Sequence, residues 1–311
     1  MEEAQKLIKK SRPEIKENSL KIYISNLSKL KKIFEADDLN FLNDIDEVKE
    51  KIKDLHYTTQ RNYYNSIIIY LKAKDKDLKI IDKYDDIRNE LNSKYITDNQ
   101  NNKISEKQKD AFVDIKELYK MIDMIGDELK NKKIKKQSSL SSKDKALLQV
   151  YIILNILIKI PLRNEIATLE SITKTQFNKE TKEEQNTNNY LVVENNKMFF
   201  VLNEYKTSKK YKQKIINIPK DLEKLLRMYI KINGMGILFK TSTNKQITTN
   251  ELSKILLKTS KKYLDKNIST TMIRKIVLSD LFAENKKQQL KMSEITGHSV
   301  ETMNNIYIKE K

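Results

Sequence analysis

Residues 190–219 read YLVVENNKMFFVLNEYKTSKKYKQKIINIP, and in this stretch the period of the chain changes. YLVVE, KMFFVLNEY and KIINIP are short runs rich in β-branched and aromatic residues, and Asn195-Asn196 separates the first two. Such runs broken by turn residues predict strands, here a small three-stranded antiparallel sheet. The second and third strands are joined by KTSKKYKQ, an unusually basic turn. On either side the pattern is helical. In SLKIYISNLSKLKKIF, Tyr23, Leu27, Leu30 and Phe34 fall at i, i+4, i+7 and i+11. A second helix is expected from an N-cap at Thr58 through Tyr64, Ile67, Ile68 and Leu71, and further helix between residues 45 and 55. Beyond residue 110 the reading gives a helix over 115–129, a Lys/Ser-rich loop over 130–143, and a buried helix ended by Pro161. Another helical turn follows in LRNEIATLE, and helices resume at Asp221. The expected fold is mainly α with a small antiparallel β-sheet. It divides into a helical domain over 1–98, a polar linker over 99–110 and an α/β domain over 111–311.

Composition agrees with this division. At about 150 residues per domain, 311 residues suggest two. Four glycines and three prolines argue against turn-rich β folds. The absence of Cys excludes disulfides, thiol catalysis and Cys-ligated metal, and two His (His56 and His298) exclude a multi-His site. No Gly-rich phosphate loop occurs. The longest apolar stretch, 147–160, is too short to span a bilayer and contains Gln149, Asn155 and Lys159. No membrane association is expected. MEEAQKLIKK lacks the apolar core of a signal peptide, so the expectation is an unsecreted protein of the cytoplasm or nucleus. The run KNKKIKK reads as a solvated loop ahead of a nuclear signal. A net charge of +18 suits a polyanionic partner, nucleic acid being the commonest. Coding bias alone would also give a chain rich in Lys, Asn, Ile and Tyr, so the argument has to come from particular residues.

Five positions stand at element boundaries. Arg163 follows the Pro161 break, with Glu165 beside it as an available partner. Lys206 sits where a strand enters the basic turn, with Lys209, Lys210, Lys212 and Lys214 nearby. Arg274 lies in STTMIRKIVLSDLF, whose apolar face is Ile273, Ile276, Val277 and Leu281. His298 follows Gly297, and Tyr307 follows nine residues later. Singly, each has an ordinary structural explanation as a cap, a solvated loop or a helix-surface charge.

In this order, with this context, they resemble the tyrosine recombinase (integrase) family, of viral or mobile-element type. IPLRNEIATLE looks like its first arginine box, and NEYKTSKKYKQKIINIP looks like the hairpin carrying its lysine. TTMIRK stands where the family has H-x-x-R, and ITGHSVETMNNIYIK looks like its G-H-S to Tyr box. The resemblance implies a helical core-binding domain followed by a catalytic domain. It further implies DNA cleavage and rejoining through a 3′-phosphotyrosyl link on Tyr307. Arg163 and Arg274 would hold the phosphate, Lys206 would serve as general acid, and His298 would align the phosphate or the tyrosine. Glu165 would position Arg163. No metal or cofactor is implied. The implied partner is double-stranded DNA, bound by a free monomer that forms a homotetramer on paired sites. Lys209, Lys210, Lys212 and Lys214 are candidate phosphate contacts. Arg61, with Thr59, Gln60 and Tyr63, is a candidate for groove contacts.

Two departures matter. Thr271 stands where the family has histidine, and threonine is no base near neutral pH. The sequence also ends four residues after Tyr307, where many relatives have a longer tail that docks on a neighbouring subunit. Two other readings stay open: a type IB topoisomerase, and a DNA-binding protein of the same fold without activity.

Overall fold

A computed structural model of the chain describes residues 1–100, 106–134, 137 and 139–307. The chain forms two compact units, Met1–Ile104 and Ser105–Lys311. The expected linker, 99–110, is helical at 99–100 and 106–109 and turns at Asp110, and residues 101–105 lie outside the described residues.

The first unit is helical: α1 (Glu2–Ser11), α2 (Glu17–Ile33), α3 (Ile45–Ile52), α4 (Tyr57–Ala73) and α5 (Leu78–Gln100). Its core joins Ile8, Leu20, Leu27, Leu30, Val48, Ile67, Leu71 and Tyr84. At helical spacing α1, α2 and α3 each bury one stripe, while α4 is buried on nearly every side from Tyr63 to Leu71. The cap of α4 is not Thr58. His56 holds that place, and its ring accepts the Thr58 backbone N–H. An imidazole nitrogen can accept as a Ser or Asp oxygen does, which a search for standard capping residues passes over.

The second unit contains α6 (Glu106–Lys109), α7 (Ile115–Asn131), α8 (Ser142–Lys159), β1 (Glu170–Thr173), α9 (Lys174–Phe177), α10 (Lys182–Thr187), β2 (Tyr190–Val193), β3 (Met198–Leu202), α11 (Ser208–Tyr211), β4 (Lys214–Asn217), α12 (Lys220–Asn233), β5 (Gly236–Ile237), α13 (Thr249–Leu264), α14 (Thr270–Thr296) and α15 (Val300–Thr302). Between α7 and α8, Lys132 pairs with Asp144 at 2.8 Å and Lys130 with Asp127 at 2.9 Å. Lys135 and Lys136 of the basic run lie outside the described residues.

The sheet is larger than expected and mixed. Its order is β4-β3-β2-β1-β5. The three expected strands are there and antiparallel, with β2 and β3 joined through a turn closed by Glu194 N–H to Lys197 O. Added to them are β1, parallel to β2, and the two-residue β5. ESIT and GI are too short to show a period of two, which is why the sequence pattern misses them. A parallel pair needs a long crossover, and residues 174–189, with α9 and α10, supply it. Side chains alternate across the sheet. Leu191, Met198, Phe200 and Leu202 join the main core, and Tyr190, Val192, Phe199 and Val201 pack on the other face.

The main core surrounds α8. Every residue of α8 from Ile152 to Ile158 is buried, as befits a helix apolar on all sides. Its two buried polar residues are satisfied. The Gln149 carboxamide donates to Lys240 O at 3.1 Å and accepts from Lys240 N–H at 2.8 Å and from the Tyr229 hydroxyl at 3.2 Å. Asn155 donates to Tyr151 O at 2.8 Å. Burial of the Tyr229 phenol raises its pKa. Replacing Gln149 with Leu keeps the bulk but strands the Lys240 N–H. Gln149→Leu should cost about 1–3 kcal/mol in urea unfolding, with no change in the far-ultraviolet spectrum.

Candidate active site

Pro161 sets the first part of the site. It removes a donor and pushes Ile160 into extended geometry, so α8 stops at Lys159. The chain then turns outward. Arg163 is extended and exposed, and a 3-10 turn over Asn164–Thr168 follows it. That turn is anchored on three sides. Ile166 and Ala167 are fully buried. The Asn164 carboxamide donates to Thr249 O at 3.1 Å and to Ser253 Oγ at 2.9 Å, both on α13. The Thr168 hydroxyl donates to Glu165 O at 3.0 Å. Glu165 meets Arg163 at the backbone, where its Oε1 accepts the Arg163 N–H at 3.3 Å.

Arg274 comes to the same place on α14. Met272, Ile273, Ile276 and Val277 bury one face of its first turns, capped by the Ser269 hydroxyl. Leu281, expected on that face, is exposed instead, because burial of α14 ends at Val277. Arg274 is half-buried beside them. Its guanidinium pKa is lowered, first by burial and then by the positive charge of Arg163, while the Glu165 carboxylate opposes the shift. Arg163, Glu165 and Arg274 are therefore near enough for their charges to act on one another. Thr271 is exposed one turn before Arg274. It shares that side of the helix, since residues three apart are neighbours there.

The lysine loop opens beside this cluster. Burial raises the pKa of the Tyr205 phenol, and the charge of Glu165 raises it further. Lys206, the next residue, is exposed on a turn. The loop is closed rather than open-ended, because the buried Tyr205 donates its hydroxyl to Lys212 O at 2.5 Å. Lys209 and Lys210 are exposed on α11, and Lys212 takes a positive φ of 55°. Lys214 lies over the Tyr205 ring at 4.7 Å and the Tyr211 ring at 5.3 Å.

His298 and Tyr307 form a second group. Gly297, at φ 68°, ends α14 in the left-handed region that glycine favours. Ser299 caps α15, and a π-type turn over Met303–Tyr307 follows. The two rings stack with centroids 5.0 Å apart and planes at 26°. Gln289 donates to Asn304 at 3.4 Å, so the tail lies back along α14. Gln289 is fifteen residues beyond Arg274 on one helix, roughly 22 Å of rise. The structure thus brings Arg163, Glu165 and Arg274 together beside the Lys206 loop, and His298 together with Tyr307. It does not bring the two groups together.

In the first unit Arg61 stacks on the Tyr95 ring at 3.9 Å and donates to Asn92 at 3.4 Å, so its guanidinium is engaged within the unit. Among the described residues no group of three or more His, Cys, Asp or Glu is arranged to hold a metal, and no helix is long and apolar enough to cross a membrane.

No family model matches the sequence, and no curated protein does. Among solved structures, the chain is similar to that of the XerA recombinase, with 13% identity over 100% of this chain and 94% of that one, at a TM-score of 0.35. It is similar to the XerH site-specific recombinase in a pre-cleavage complex with its difH substrate, with 16% identity over 99% and 91% of the two chains, at a TM-score of 0.43. It is also similar to XerH in a post-cleavage complex on palindromic difH, with 16% identity over 94% and 75%, at a TM-score of 0.46. All three are distant likenesses.

Two guanidiniums within reach of one another's charge, one of them half-buried, predict a response to a divalent oxyanion. Sulfate, compared with chloride at equal ionic strength, should raise the melting temperature of the wild type by several degrees more than that of Arg274→Met. General salting effects act on both proteins, so equal increments would remove the anion site.

Proposed function

We propose that the chain is a site-specific DNA recombinase of the tyrosine recombinase type. What supports this is that Arg163 and Arg274, from segments far apart in sequence, lie within reach of one another's charge, and that the Arg163 turn is hydrogen-bonded through Thr168 and Asn189 to the strand end from which Lys206 emerges. The charged form of Arg274, half-buried within reach of the charge of exposed Arg163, is disfavoured unless an anion joins them, and a DNA phosphate is the anion that a chain of net charge +18 attracts.

The chemistry follows from the residue types. The Tyr307 hydroxyl attacks a DNA phosphorus, forming the Oη–P bond as the P–O5′ bond breaks, and the phenolic proton passes to water. Negative charge gathering on the non-bridging oxygens is stabilised by Arg163 and Arg274. The Lys206 ammonium gives a proton to the departing O5′. The products are a 3′-phosphotyrosyl link and a free 5′-hydroxyl, and attack by a second 5′-hydroxyl reverses the step. One phosphoester replaces another, so no energy source is required. Stacking of His298 on the Tyr307 ring holds the nucleophile's orientation. Thr271, beside Arg274, contributes a hydrogen bond to the phosphate rather than base chemistry.

The distance along α14 bears on assembly. Beyond Val277 the helix exposes Leu281, Phe282, Leu290, Met292 and Ile295, apolar residues suited to cover by a neighbouring copy. On this reading Tyr307 serves the arginine pair of a neighbour, in a tetramer on paired DNA sites. The first unit serves as a second DNA-binding domain, and the lysines of the 203–213 loop contact phosphates.

The test is covalent trapping on supercoiled plasmid and on nicked duplexes with a randomised core, stopped with detergent. Wild type should give a protein–DNA adduct that Tyr307→Phe does not. Arg274→Ala should also give none, and mixing it with Tyr307→Phe should restore adduct, since each supplies what the other lacks. No adduct from wild type on any substrate would leave a DNA-binding protein. Site-independent relaxation would make it a topoisomerase. Binding should weaken steeply with salt, the logarithm of affinity falling by about 0.9 per phosphate neutralised for each decade of salt.

A further inference from the structure

Asn189 lies just before β2, away from every residue of the proposed chemistry in sequence, and is 2% exposed. A carboxamide offers two donors and two acceptor positions, and here all four are used. Its nitrogen donates to Thr168 Oγ1 at 3.0 Å and to Glu204 O at 2.9 Å. Its oxygen accepts from Asn203 N–H at 2.8 Å and from Glu204 N–H at 2.9 Å. Thr168 in turn donates to Glu165 O. One buried side chain therefore ties the turn of Arg163 and Glu165 to the strand end from which Lys206 emerges.

The far end of the lysine loop is tied to the same place. Asn203 donates to Gln185 O at 2.8 Å and to Asn188 O at 2.6 Å, and its oxygen accepts from Gln213 Nε2 at 2.9 Å. Gln213 also donates to Gln185 O at 3.0 Å. Residues 203 and 213 are thus clamped to one another and, through Asn189, to the arginine turn. A long, solvated lysine cannot deliver a proton to a chosen oxygen unless the base of its loop is fixed, and a misplacement of about 1 Å costs about a hundredfold in rate.

We propose that Asn189 is a positioning residue that sets the Lys206 loop in register with the Arg163 turn. The proposal rests on the recombinase reading and adds to it the device that aims the general acid. Asn189→Asp keeps the size and both accepted bonds but loses both donors, so Glu204 O loses its partner and Thr168 keeps a bond to residue 189 only by turning its hydroxyl away from Glu165 O. Arg163 stays held by Asn164 and by buried Ile166 and Ala167. The defect should therefore fall on proton delivery and not on phosphate binding.

This is tested with a duplex trapped by the wild type, made either with an ordinary phosphodiester or with sulfur in place of the bridging 5′ oxygen. A thiolate leaves without a proton, its thiol having a pKa of about 8.5. Asn189→Asp should form adduct about a hundredfold more slowly on the oxygen duplex and within a few-fold of wild type on the sulfur duplex. Lys206→Ala should give the same pattern. Gln213→Met, at an exposed position, loosens the other end of the loop and should show a smaller loss on oxygen with the same rescue. It keeps the test open if Asn189 variants do not fold. Amide exchange of residues 203–213 should quicken about tenfold in either variant while β2 and β3 keep their protection. Equal losses on both duplexes in a folded variant, or no loss on either, would overturn the role of Asn189 and leave the recombinase reading standing. No adduct from wild type on either duplex would overturn both.

Discussion

A helix that is apolar on every side has to be enclosed, and that requirement organises the second unit. Helix α8 has no face to give to water, so α7, α12, α13 and α14 all pack against it. The sheet closes the same core through Leu191, Phe200 and Leu202. A helix enclosed in this way ends abruptly. Pro161 ends α8 at the edge of the core, and the next residue able to carry a charge, Arg163, emerges at the surface. Packing thus sets the place of the first arginine before any interaction of its own does. Met272, Ile273, Ile276 and Val277 do the same for the second, since Arg274 is carried on the helix they dock.

The electrostatics run against the packing. Burial and Arg163 both disfavour the charged Arg274, and Glu165 offsets them only in part. A carboxylate able to neutralise Arg163 directly is close by, yet it is spent on the Arg163 backbone N–H. Ion pairs elsewhere in the unit are closed. Glu223, nearly buried, is held by Arg227 at 2.7 Å and Lys220 at 3.2 Å, and its carboxyl pKa is lowered, first by the Arg227 hydrogen bond. Among the described residues neither Arg163 nor Arg274 makes such an ion pair, which is the opening that the recombinase reading fills with a phosphate.

What could be read in the sequence was what local pattern determines. The apolar run of α8, its stop at Pro161 and the three runs of β2, β3 and β4 are each visible within a dozen residues. The charged residues at their ends follow from the same reading. What could not be read was set by tertiary partners. ESIT becomes β1 only because β2 lies beside it, and Leu281 is apolar but exposed because the core that buries α14 ends at Val277. Asn189 looks like part of a polar loop, NTNN, next to a strand. Its only local signal is that position, a polar residue at a strand end facing another, Asn203, at the end of the paired strand. His56 is missed as a cap for a related reason, because its role depends on ring geometry rather than on residue class.

The separation of the two chemical groups has a simple origin. Between Thr270 and Thr296 there is no proline and no glycine, and LFAENKKQQLKMSEI is rich in residues that favour helix. Nothing stops α14 until Gly297. To bring Tyr307 to its own Arg274 with the tail held at Gln289 as it is, the helix would have to break, leaving up to four carbonyls and four N–H groups without partners at the new ends. Each lost intrahelical bond costs about 0.5–1.5 kcal/mol net, so a break in α14 is a large fraction of a domain's stability unless new packing compensates. Reaching the arginine pair of a second copy requires no break. It would also cover the apolar side of α14, which its own unit leaves open. On the recombinase reading, the continuity of one helix is then what makes the nucleophile unavailable to a lone subunit. That property suits a protein whose cleavage must wait until partners are assembled on DNA.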